Sequence, residues 1–170
     1  MSTPTGNITI TNNRATMEFS RFIPAAPEKV WRAITDPQAF GAWYNATVEI
    51  DPQVGGTFTV HSGPFDWTGP ILNWEPNHLF KYEHNHAAVT EMPEGASTVV
   101  SWTLAPKDDG TEMTFVQSGL SSTGGFAPGT HVVVDRLVAY VTGQEMPDFG
   151  AYYTEVEPLY EVWNATKENA

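Results

Sequence analysis

The feature that most constrains this chain is a change of hydrophobic period near residue 46. From there to about residue 118, apolar and polar residues alternate in short runs divided by turn-forming clusters. The alternation predicts strands over 47–51, 56–62, 67–74, 79–86, 97–105 and 111–118. The dividers are Gly55-Gly56, Gly63-Pro64, Glu75-Pro76-Asn77, Pro93-Glu94-Gly95 and Asp108-Asp109-Gly110. Connections this short join strands side by side in opposite directions, so an antiparallel meander is expected. In the last divider, glycine is expected to supply positive φ and close a hairpin.

The segment before the meander reads differently. Residues 1–15 are polar and rich in Thr and Asn, which suits a flexible tail or an edge strand. Thr16–Ile23 alternates, with Met17, Phe19, Arg21 and Ile23 on one face. Pro24-Ala25-Ala26-Pro27 stops that strand, and Pro27 suits the first turn of a helix running to Thr35. Glu28 favours its positive end, and Val30, Trp31 and Ile34 form its apolar stripe. Asp36-Pro37 then reads as an N-cap and a first helical residue, opening a second short helix to about Trp43.

Composition bounds the function classes. The 170 residues suit one domain, and 41% hydrophobic residues argue against general disorder. Twenty acids against eight Lys and Arg leave a net charge of −12. That balance disfavours nucleic acid and anionic membrane as partners, because both are bound through Lys and Arg. Residues 1–60 hold five acids and four bases, whereas the rest hold fifteen and four, so the excess belongs to the later strands and tail. The chain has no cysteine, which excludes disulfides and thiolate-bound metal. The opening residues have neither a basic n-region nor an apolar run, so the expected compartment is the cytoplasm. The sequons at Asn7, Asn45 and Asn164 then read as chance.

Several catalytic classes lack their residues. No serine sits in Gly-x-Ser-x-Gly, and neither a phosphate-cradling glycine loop nor His-Glu-x-x-His occurs. No cofactor or metal is assigned. His84-Asn85-His86 is the one imidazole pair; on a continuing strand His84 and His86 share a face with Phe80 and Tyr82. They could end the strand in solvent, hydrogen-bond a ligand, or hold a metal if His61 or a distant carboxylate joined them. Gln117 continues the apolar face of Met113 and Phe115, so it needs a polar partner there, whether side chain, water or ligand.

Together, Arg21, Ala26-Pro27-Glu28-Lys29-Val30-Trp31, Thr35-Asp36-Pro37, Trp43-Tyr44 and Val54-Gly55-Gly56-Thr57-Phe58 carry a resemblance. It continues through Ser101-Trp102-Thr103-Leu104, Gly110-Thr111-Glu112-Met113-Thr114, Ser118-Gly119-Leu120 and Asp135-Arg136-Leu137 to Tyr140. From Phe19 to Gly143 the chain resembles the START-like (SRPBCC) superfamily, in its branch of chaperone-ATPase activator homologues (AHSA-like). The resemblance implies an α+β helix-grip fold: a curved antiparallel sheet around a long C-terminal helix, with two short helices after the first strand. It also supports placing that helix at Thr130–Thr142, with Val133, Leu137 and Tyr140 toward the core, although Val132-Val133-Val134 disfavours helix by propensity. It makes Arg21 a structural ion-pair member and Asp135-Arg136 structural too, through pairing with a strand carboxylate. The tail's Tyr152, Val156, Leu159, Tyr160 and Trp163 fall at helical spacing, with a helix expected from near Pro158. The domain reading is a flexible segment 1–15, a START-like domain 16–143, and an extension 144–170 that packs on the domain or on a neighbour.

An apolar cavity between sheet and C-terminal helix is also implied, and the chain's abundant aromatics suit its lining. The residues assigned to ligand contact are Trp43, Phe58, Trp67, Tyr82, His84, Trp102, Phe115 and Gln117. The leading expectation is binding of an apolar or aromatic small molecule. A polyketide cyclase or dehydratase using His84 or His86 is the enzymatic alternative, and a chaperone-modulating interaction protein is the third. Such domains commonly dimerise, so a second copy is a candidate partner.

Overall fold

A computed structural model of the chain describes residues 3–63, 66–86 and 98–166, with His86 described by its backbone alone. In chain order the elements are β1 (Asn7–Thr11), β2 (Arg14–Ile23), α1 (Pro27–Thr35), α2 (Pro37–Tyr44), β3 (Thr47–Ile50), β4 (Thr57–His61) and β5 (Trp67–Glu75). They continue with β6 (Leu79–His86), β7 (Thr98–Lys107), β8 (Gly110–Leu120), α3 (Phe126–Thr142), α4 (Phe149–Val156) and a 3-10 turn, Glu157–Leu159.

The eight strands form one curved antiparallel sheet in the order β1-β2-β8-β7-β6-β5-β4-β3. After β2 the chain crosses through α1 and α2 to the far edge and returns as the predicted meander. This is the helix-grip α+β architecture, with α3 as the long C-terminal helix. Alternation selects the covered face. Met17, Phe19, Phe58, Val60, Phe80, Tyr82, Val100, Trp102, Met113 and Phe115 are all buried on it, packed with Val30 and Ile34 of α1 and Leu137 of α3. Asp36 ends α1 and caps α2, accepting from the Ala39 amide at 2.9 Å.

Four local expectations change. The N-terminal segment is an edge strand, because Asn12 and Asn13 (φ 50° and 58°) make a two-residue turn that folds β1 onto β2. In the β7–β8 hairpin, positive φ falls on Asp108 (50°), and Gly110 serves another purpose. A Cβ on Gly110 would lie 2.3 Å from the Ile23 carbonyl oxygen, so β2 requires glycine there for close approach. Helix α3 begins at Phe126, with Pro128 tolerated in its first turn. Its buried side includes Val132, Val134, Leu137 and Val141; Val133 is half-buried and Tyr140 is exposed, so burial overrides the low propensity of the valine run.

The fourth change is the tail. Its helix precedes Pro158, running from Phe149 to Val156 with Asp148 capping the Ala151 amide at 2.9 Å. Pro158 enters the 3-10 turn, and the chain continues extended. The Thr123 amide donates to the Trp163 carbonyl at 2.9 Å and the Ala165 amide to the Ser121 carbonyl at 2.8 Å, tying the tail to the end of β8. The expected turn at Pro93-Glu94-Gly95, with Pro64 of the Gly63-Pro64 turn, lies outside the described residues.

Candidate functional site

Cross-strand register builds the aromatic interior. Phe80 of β6 opposes Trp102 of β7, which opposes Phe115 of β8, which opposes Phe19 of β2. One register pair further along, Tyr82, Val100, Gln117 and Met17 form the adjacent row. Because directly opposed residues share a face, these rows project together toward the helices.

All eight residues assigned from sequence come together here. Phe58 lies 4.7 Å from Tyr82 and 5.1 Å from Trp67, ring centre to ring centre. Trp67 stacks on Tyr82 at 5.4 Å and on His84 at 4.0 Å. Trp102 meets Phe115 at 4.8 Å and Trp43 of α2 at 5.9 Å. These contacts are tilted, edge-on or stacked, the geometries aromatic quadrupoles favour. Gln117 finds a side-chain partner, donating from Nε2 to Thr98 Oγ1 at 3.2 Å, and Thr98 in turn donates to the His84 carbonyl. All eight residues are buried against one another, none more than 7% exposed, so a ligand must part these rings to enter among them.

Three neighbours fall outside the ligand assignment, Phe40, Tyr44 and Phe80, although alternation puts Phe80 on the face of Tyr82 and His84. Phe40 and Tyr44 are four residues apart on α2 and stack at 5.2 Å, an i,i+4 spacing that could have flagged Tyr44. Tyr44 matters because it repeats an arrangement seen at Tyr82. Trp67 Nε1 donates to the Tyr44 hydroxyl at 3.2 Å, and Trp102 Nε1 donates to the Tyr82 hydroxyl at 3.0 Å. An indole can only donate, so each phenol oxygen accepts and keeps its own O–H as a donor. Burial pushes both phenol pKa values up, against the indole hydrogen bonds, so both stay neutral.

The imidazole pair resolves in part. His84 is buried within the ring cluster, and the side chain of His86 lies outside the described residues. His61 cannot join His84 as a ligand. It is on the opposite face of β4 from Phe58, exposed, at 3.6 Å from Glu49 and 3.2 Å from Asp66. Among the described residues, no group of three metal-ligating side chains comes together.

A second polar centre lies between β2, α3 and the tail. Arg21 Nε donates to Asp135 Oδ1 at 2.9 Å. The other carboxylate oxygen accepts from Thr3 and Tyr152, both at 2.6 Å, and faces His131 Nε2 at 3.4 Å. His131, fully buried and missed from sequence, also meets the Tyr160 hydroxyl through Nδ1 at 2.8 Å, and that hydroxyl accepts from the Gly6 amide at 2.9 Å. Burial would raise the Asp135 pKa, but bonds from His131, Thr3, Tyr152 and Arg21 outweigh it and hold the carboxyl well below the usual range. The Tyr152 phenol is pushed up to about 12 by burial and by Asp135. With its oxygens occupied, this clasp is structural. The expected strand carboxylate is corrected: Asp135 pairs with a strand arginine, and Arg136 donates to the carbonyls of Trp43 and Pro147. Two surface grooves, about 440 and 420 Å³, flank the tail beside this clasp and share Tyr160, Glu161 and Val162.

Among the described residues no helix is long and apolar enough to cross a membrane. No curated protein sequence matches the chain. Among solved structures, CalU16 from Micromonospora echinospora has the same fold, with TM-score 0.67 and 18% identity over 91% of this chain and 92% of that one. Protein MLL2253 from Mesorhizobium loti matches at TM-score 0.67 and 28% identity, over 76% of this chain and 98% of that one. The Aha1 dimer from Colwellia psychrerythraea matches at TM-score 0.63 and 21% identity, over 74% and 95%. Residues 24–142, more than half of the sequence, match the family described as Activator of Hsp90 ATPase homolog 1-like protein, so the chain belongs to that AHSA1 family within the START-like (SRPBCC) fold.

Proposed function

We propose that the protein binds an apolar or aromatic small molecule bearing a hydrogen-bond acceptor, among the rings between the sheet and its covering helices. The observation that carries this reading is the run of aromatic neighbours from Trp43 through Trp102, Tyr82, Phe58 and Trp67 to His84, joined by ring contacts and, between Trp102 and Tyr82, by an indole–phenol hydrogen bond. A ligand that inserts into this run gains about 25 cal/mol per Å² of apolar surface buried, less the ordering cost. The O–H groups of Tyr44 and Tyr82 orient a ligand carbonyl, and Gln117 stands in the adjacent row. The proposed binding unit is residues 16–143, and the extension after it packs back on that unit through Trp163 and Ala165. The proposed compartment is the cytoplasm, which cell fractionation tests. A second copy of the chain is a further partner, and the Colwellia relative was solved as a dimer.

Native mass spectrometry of the freshly purified protein is the first test, followed by titration of tryptophan emission with polycyclic aromatic ketones. A bound small molecule, or quenching that Phe58→Ala abolishes, supports the proposal. Unchanged emission and melting temperature across such a panel overturn it.

His84 favours a second reading. An imidazole stacked at 4.0 Å on Trp67 stands beside the proposed ligand, where it could move a proton in cyclase or dehydratase chemistry. Recovering the ligand chemically unchanged after prolonged incubation decides for binding alone. Conversion that His84→Gln abolishes without loss of binding decides for catalysis.

A further inference from the structure

The two edges of the sheet are built differently. At one end, β3 is a four-residue strand that carries Glu49 and is followed by Asp51. Short length and inward or flanking charge are devices that keep edges from pairing. At the other end, β1 reads Asn7-Ile8-Thr9-Ile10-Thr11, with no charge and no proline, in unbroken register with β2. Ile10 is 44% exposed, and beside it in the 420 Å³ groove stand Leu159 and Val162, 51% and 66% exposed.

The hairpin turn determines which backbone groups β1 presents outward. Thr11 and Arg14 flank the two-residue turn, so they exchange hydrogen bonds, as do Thr9 with Thr16 and Asn7 with Glu18. The amides and carbonyls of Ile8 and Ile10 therefore face away from β2. An antiparallel copy centred on Thr9 sets Ile8 against the partner copy's equivalent of Ile10, and the reverse, which completes four backbone hydrogen bonds. The rows on the outer face also fit. Thr9 meets its own equivalent with Thr16 behind it on each side, while Glu18 and Asn7 continue into the copy's Thr11 and Arg14, so no like charges oppose. Despite its net charge of −12, the chain is neutral along this line.

We propose that β1 is a homodimer edge, with two chains joined antiparallel about a two-fold axis at Thr9 into one continuous sheet. A two-fold contact of this kind is self-complementary and closes. It also places the apolar side chains of Ile8 and Ile10 from both copies together over the Leu159–Val162 groove.

The test uses the full chain and its lack of cysteine. Light scattering on a size-exclusion column is expected to give twice 18.7 kDa at high protein concentration, and Ile10→Lys to return the mass to 18.7 kDa with an unchanged circular dichroism spectrum. Thr9→Cys introduces the only thiol. At a non-hydrogen-bonded antiparallel pair the Cα atoms are about 4.5 Å apart, within disulfide reach, so mild oxidation is expected to crosslink it. Asn7→Cys, displaced from the axis, is expected to remain uncrosslinked. A monomer at every concentration overturns the proposal. So does a dimer that survives Ile10→Lys, or one in which Thr9→Cys crosslinks no faster than Asn7→Cys.

Discussion

The two halves of the covered face are held by opposite means. Between β4 and β7 the contacts are ring on ring, from Phe58 to Trp102, with a few hydrogen bonds embedded. Beside β2 the contacts converge on one carboxylate, Asp135, which receives Arg21, Thr3 and Tyr152. Ring contacts are weakly directional and individually small, so rings can shift and re-pack around an inserted molecule. A buried, fully bonded carboxylate has a single good arrangement, and any change leaves a charge uncompensated. The proposed ligand site therefore falls in the aromatic half, and the clasp holds the frame beside it.

Substitutions separate these halves. Phe58→Ala removes a fully buried ring and is expected to cost about 4 kcal/mol, read as a lower midpoint in chemical denaturation, and to abolish ligand-induced quenching. Asp135→Asn leaves Arg21 without its carboxylate and is expected to cost about 3 kcal/mol while leaving the ring cluster able to bind. The two losses should add, because the residues share no contact; Asp135→Asn and Arg21→Met should not add.

The pH dependence sharpens the contrast further. The folded-state pKa of Asp135 lies below its unfolded value, so its contribution is complete above the ordinary carboxylate range near about 4 and is lost as pH falls below it. Acid titration of the melting temperature should therefore be shallower in Asp135→Asn. Tyr152 acts at the other end: with its folded pKa raised to about 12, its contribution is present below the unfolded value of about 10 and lost as pH rises from there toward the folded value. The smallest effects belong to the polar groups inside the aromatic half. Tyr44→Phe removes one phenol that accepts from Trp67 and should cost about 1 kcal/mol in stability. Binding of a ketone should weaken more than binding of the corresponding hydrocarbon, which calorimetry would measure.

Much of this was legible in the chain because it depends on neighbours in sequence. Alternation placed Met113, Phe115 and Gln117 on one face, and Asp36-Pro37 marked the junction of α1 and α2. What was missed has a common cause. His131 had one local signal, its i,i+4 spacing to Asp135 on α3, but its other partners Thr3 and Tyr160 are 128 and 29 residues away. The tail helix was misplaced because the aromatic spacing around Pro158 outweighed the cap at Asp148. Gly110 was assigned to a turn when its reason is the carbonyl of Ile23 on another strand.

The sequence by itself determined the order of elements from β2 to α3, the faces of β2, β6 and β8, and the family resemblance, because period, caps and turns are local properties. Tertiary structure alone decided which polar groups are spent and which remain available. It closed the hydrogen bonds of Asp135, kept the hydroxyls of Tyr44 and Tyr82 as donors inside the rings, and turned the amides of Ile8 and Ile10 outward. Each outcome depends on which distant group arrives at hydrogen-bonding distance, and that is set by how the sheet curves around α3.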